Sequence, residues 1–142
     1  MFILKHQDED IEYSLSKGGF SIADGKLYLS LESNAVDDEA FPETFLFAVD
    51  GFELSNGLES QTINISTNPN DETPNVYVYT SFHACEVEAQ INLKVLDSTQ
   101  IEIELNVISE DVNYYNEQAK PNPFIGSAKL TQKNKNELWL PA

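Results

Sequence analysis

Arginine is absent from the chain, and cysteine occurs once, as Cys85. A single thiol excludes an intramolecular disulfide framework, which suits a reducing compartment. His6 and His83 are the only histidines, too few beside one cysteine for an ordinary zinc site. No stretch approaches the ~20 apolar residues that a membrane helix needs. The opening MFILKHQDED lacks the basic and apolar regions of a secretory signal. Cytoplasmic residence is therefore expected. Positive charge is scarce as well: eight lysines face 24 Asp and Glu, a formal net charge of -16. Nucleic acid and membrane are thereby disfavoured as partners, because binding phosphates takes Lys or Arg. A basic protein partner is favoured, and its encounter accelerated. The plain alternative is that the acidity serves solubility.

Helical periodicity is missing too. Alternation of period two takes its place, the mark of half-buried antiparallel strands. Leu27, Leu29 and Leu31 share a face, as do Ile63 and Ile65. Val76, Val78 and Phe82 oppose Tyr77 and Tyr79. The clearest run is Cys85, Val87, Ala89, Ile91, Leu93 and Val95, followed by Ile101, Ile103, Leu105 and Val107. Residues 45–49 are apolar throughout and predict a central strand. Asp24-Gly25, Asp50-Gly51 and Asn56-Gly57 are turn signals, and residues 68–74 form a loop rich in Asn and Pro. Late strands are expected at 124–131 and 137–140, with 133–136 as their turn. One short helix or turn is expected near 110–116, capped by Ser109. The fold class is all-β: a single-domain antiparallel β-sandwich over 1–142, with roughly nine to ten strands.

Catalytic signals are thin. His83 and Cys85 lie two apart on one strand face, but Cys85 begins the apolar face, where a buried thiol is inert. There is no nucleophile elbow at Gly126-Ser127, no P-loop and no dinucleotide glycine pattern. The chain is not expected to be an enzyme, and no cofactor is implied. Asp8-Glu9-Asp10, Asp37-Asp38-Glu39 and Asn70-Asp71-Glu72 are oxygen-rich clusters of the type calcium takes. None has EF-hand spacing, and solvated loops are the favoured explanation.

The polar side of the central hairpin is more informative. Alternation sets Glu86, Glu88, Gln90, Asn92 and Lys94 on one face, and the partner strand adds Glu102, Glu104 and Asn106. If 96–100 closes the hairpin, Lys94 sits opposite Glu102, and one lysine serves four glutamates. Like charges on adjoining strands are unfavourable, so a face that keeps them points to a cationic partner; the alternative is an ordinary solvated face. Residues 109–123 form a long connection without strand character. Within it, Tyr114 and Tyr115 are adjacent and suit an aromatic anchor for a protein partner. The partner-binding candidates are therefore Glu86, Glu88, Glu102, Glu104, Tyr114 and Tyr115.

Residues 111–141 carry Tyr114-Tyr115, Lys120-Pro121-Asn122-Pro123-Phe124 and Leu138-Trp139-Leu140-Pro141. This stretch resembles small acidic β-rich immunity proteins found beside bacterial secreted toxins. The resemblance implies a non-enzymatic inhibitor whose acidic surface neutralises a basic toxin. The other expectation from the residues is a calcium-dependent ligand-binding module of C2-like or carbohydrate-binding type, and a third is a small hydrolase using a carboxylate pair. Calcium binding by the acidic loops, the oligomeric state and the partner's identity stay open.

Overall fold

In the structure, a computed structural model, residues 2–5, 10–40, 43–67, 70, 72, 74–80, 87–109 and 123–140 are described. Nine strands follow in order: β1 (Phe2–Lys5), β2 (Asp10–Ala23), β3 (Lys26–Ala35), β4 (Thr44–Glu53), β5 (Gln61–Thr67), β6 (Val76–Tyr79), β7 (Val87–Val95), β8 (Gln100–Ser109) and β9 (Phe124–Thr131). All neighbours pair antiparallel, in the order β5-β7-β8-β9-β1-β2-β3-β4-β6. The all-β antiparallel domain expected from alternation is present. Its layers belong to one hydrogen-bonded sheet that curls almost closed around one core.

The core shows the curl directly. Phe124 of β9 stacks on Phe45 of β4, with ring centroids 3.5 Å apart, although three strands separate β9 from β4 in the sheet. Phe2 stacks on the same ring and Tyr13 meets it edge-on, each at 5.3 Å. Leu27, Leu29, Leu31, Phe47, Val49, Ile63, Ile91, Ile101, Ile103 and Val107 belong to the same buried interior. Burial of these apolar side chains supplies the main driving force.

Closure is incomplete for a topological reason. In an antiparallel sheet with an odd number of strands, the two end strands run the same way. β5 and β6 would therefore have to close as a parallel pair. Only residues 68–75 connect them, fewer than the roughly dozen a parallel crossover takes. They come near each other without forming a ladder.

Asp24-Gly25 makes the expected hairpin turn, with φ of 54° and 74°. Asp50-Gly51 does not turn the chain. β4 continues through it, and Gly51, at φ 89°, is the extra residue of a bulge against Leu27 and Tyr28. A second bulge lies at Ser16. It switches the inward residues of β2 from Ile11 and Tyr13 to Phe20 and Ile22, which conceals this long strand from a period-two pattern.

The C-terminal segment also departs from expectation. Residues 137–140 form no strand; a 3-10 turn spans Lys135–Glu137. The segment crosses the outer face of β2 and β3. Its Lys133 N–H donates to the Phe20 carbonyl at 2.8 Å, and the Trp139 N–H to Ser30 Oγ at 3.0 Å. Lys135 Nζ lies 4.2 Å from the Tyr28 ring centroid. Ser21 and Ser30 are buried beneath it although they point away from the core. The helix expected near 110–116 lies outside the described residues, as do His6, Asp8, Glu9, Asp71, His83 and Cys85.

Candidate functional site

The outer face of β5, β7, β8 and β9 is built by strict alternation. Every second residue from Val87 to Leu93 and from Ile101 to Ser109 is buried, which turns the intervening ones outward. The ladder registers arrange them in cross-strand rows. One row holds Ser66, Glu88 and Ile108. The next holds Asn64, Gln90, Asn106 and Ile125. A third holds Thr62, Asn92, Glu104 and Ser127, and the last Lys94, Glu102 and Lys129.

The expected pairing of Lys94 with Glu102 is present, and residues 96–99 close the hairpin, with the Leu96 N–H donating to the Gln100 carbonyl at 3.0 Å. At the tip, Asp97 accepts from the Thr99 N–H at 2.8 Å and from its hydroxyl at 3.0 Å. These bonds, the backbone one first, hold its carboxyl below the ordinary value. The charge balance of the face differs from expectation. Lys129 flanks Glu102 from β9, so this carboxylate lies between two lysines rather than sharing one with three other glutamates. The pairing of β8 with β9 supplies that second lysine, and nothing local to the hairpin announces it.

Glu88 and Glu104 are exposed, Glu102 half-buried. Glu86, Tyr114 and Tyr115 lie outside the described residues. Glu88 and Glu104 stand two rows apart, separated by a row of carboxamides. The side chains around them are pre-ordered: Thr62 Oγ1 donates to Asn92 Oδ1 at 2.8 Å, and Gln90 Nε2 to Asn64 Oδ1 at 3.3 Å. Two shallow depressions of about 420 and 440 Å³ meet at Gln90 and Asn106, the first flanked by Glu88 and Ile108, the second by Glu104 and Ile125. The alternation passed over the two isoleucines and set Gln90, Asn92 and Asn106 on this face without making these carboxamides binding candidates. Their signal was present as Asn and Gln at the outward positions of β5, β7 and β8.

A smaller depression of about 280 Å³ lies under the C-terminal segment, between Lys17, Glu32, Lys133, Glu137 and Trp139. Asp37 of the second acidic cluster ties its own turn, accepting from the Glu39 N–H at 2.9 Å. Among the described residues, no group of three His, Cys, Asp or Glu is placed to hold a metal ion, and no helix is long and apolar enough to cross a membrane. Comparison of the chain with protein-family models, curated proteins and solved structures yields no match.

Proposed function

We propose that this chain is a non-enzymatic protein-binding module of the immunity type, which neutralises a basic toxin in the cytoplasm. The observation that supports this most is the outer face of β5, β7, β8 and β9. It is rigid and exposed, it carries Glu88 and Glu104 among neutral carboxamides, and Ile108 adds apolar surface at its edge. Carboxylates fixed on a sheet lose little freedom when a partner docks. The chain's charge of -16 supplies the long-range field that speeds capture of a cation. Glu86 and the Tyr114–Tyr115 pair belong to the same proposal, as a further carboxylate and as aromatic anchors.

The test pairs the chain with a secreted toxin encoded beside it, in co-expression for protection and in stopped-flow for binding. Replacing both Glu88 and Glu104 by Gln should slow association by roughly tenfold at low salt and flatten its salt dependence. Glu102→Gln should do less, because Lys94 and Lys129 already flank that carboxylate. Absence of both protection and complex formation overturns the proposal.

The carboxamide depressions favour a second reading, a carbohydrate-binding or calcium-dependent module, since Asn, Gln and Glu suit sugar hydroxyls. The described part of that face carries no aromatic ring to stack on a sugar. A calcium-specific rise in melting temperature, absent with magnesium, or saturable glycan binding in calorimetry selects this reading.

A further inference from the structure

The open end of the sheet at β5 has the properties of a self-pairing edge. Antiparallel ladders alternate between residues that exchange bonds with one neighbour and residues whose backbone groups face the other way. The Leu96–Gln100 bond sets the phase for β7 and β8. Gln90 with Asn106 and Asn92 with Glu104 are then bonded pairs, so Ala89, Ile91 and Leu93 turn their backbone groups toward β5. The Val95 N–H, which donates to Ser60 Oγ at 3.0 Å, agrees with this phase. On β5, Ile63 and Ile65 answer β7. The N–H and C=O groups of Thr62, Asn64 and Ser66 therefore point to the far side, where β6 comes near but neither it nor any other strand among the described residues pairs with them.

Natural edges are normally guarded by charge, proline, bulges or shortness. The opposite edge, β6, has only four residues. β5 has none of these guards: it reads Gln-Thr-Ile-Asn-Ile-Ser-Thr and pairs with β7 without a register shift. In a chain of net charge -16, β5 is uncharged along its length, so two copies can approach there without setting carboxylates side by side.

We infer that β5 pairs antiparallel with β5 of a second copy, about a two-fold axis at Asn64. In that register Asn64 meets Asn64 and Thr62 meets Ser66, so every outward-pointing residue finds one that points back. About six N–H···O bonds result. Polar side chains meet polar ones on the outer face, and Ile63 neighbours Ile65 on the inner one. The contact is isologous, so it closes at two copies and does not propagate.

Sedimentation equilibrium of the full chain, over a range of concentrations and salt, tests this. A monomer–dimer equilibrium is expected whose dimer fraction rises with salt, because screening relieves repulsion between two acidic bodies. Capture of a basic partner responds to salt in the opposite sense, so the two proposals fail independently. Asn64→Lys places two ammonium groups at the axis and should abolish the dimer, with circular dichroism unchanged. Thr62→Lys should do the same by a different side chain. Both variants reduce the net negative charge, so their effect cannot come from long-range repulsion. Glu12→Lys, a charge change on remote β2, should leave the dimer in place. A monomer under all conditions overturns the inference, as does a dimer that survives both β5 variants or weakens with salt.

Discussion

Two buried serines show how differently one hydroxyl can act. Ser33 is fully buried, and its Oγ donates to the Phe45 carbonyl at 3.1 Å, tying β3 to β4. Ser109 is equally buried at the end of β8, with no partner for its Oγ among the described residues. A made hydrogen bond contributes on the order of 1 kcal/mol, whereas an unmet buried donor costs stability. Ser33→Ala should therefore lower unfolding free energy by about 1 kcal/mol. Ser109→Ala should leave it unchanged or raise it. Urea denaturation of both variants checks the opposite signs, and a destabilised Ser109→Ala would show that its hydroxyl is satisfied after all.

At the level of elements, bulges bend the two long strands β2 and β4. Gly51 takes φ 89° inside β4, a conformation that costs an L-residue roughly 1–2 kcal/mol. A side chain there would also meet the Tyr28 ring, whose atoms lie 3.4 Å from the position of an added Cβ. Gly51→Ala should lower stability by about 1–2 kcal/mol, measured by denaturant unfolding. Gly25, at φ 74° and with open space around it, should lose a similar amount on Gly25→Ala, because 3.4 Å is an ordinary van der Waals distance to the Tyr28 ring. A much larger loss at Gly51 would mean that the ring does not accommodate the methyl. The bulge, not a turn, is thus what the Asp-Gly pair at 50–51 encodes.

For the whole molecule, the alkaline limit of stability follows from one buried and one half-buried phenol. Burial raises the pKa of Tyr13 in the core, and burial, then the nearby Asp50 carboxylate, raises that of Tyr77, whose hydroxyl donates to the Pro74 carbonyl at 2.7 Å. A pKa higher in the folded than in the unfolded state means that the folded chain holds the proton more tightly. The associated stability is complete below the unfolded value of 10.0 and is lost as pH climbs through it toward the folded values. Thermal melts from neutral to strongly alkaline pH should show the midpoint falling above about pH 10, and Tyr77→Phe should reduce that slope. A melting temperature flat across this range contradicts the assignment.

How much of this could be read before folding depends on the range of the interaction. Alternation is local, so it marked β3, β5, β6, β7 and β8 and placed Glu88, Glu102 and Glu104 on one outward face. The same locality fixed the Asp24-Gly25 turn and the Lys94–Glu102 pairing, since both partners lie on one hairpin. β2 was legible only at its last residues, because the bulge at Ser16 reverses which side chains face inward. β1 is too short to display a period. The segment at 137–140 looks like a strand, but its apolar residues belong to a strap across β2 and β3. Long-range pairing decided the rest: β9 brought Lys129 beside Glu102, and β5 brought Asn64 beside Gln90. It also left both end strands, β5 and β6, paired on one side only, because nine antiparallel strands cannot close on themselves without a parallel pair.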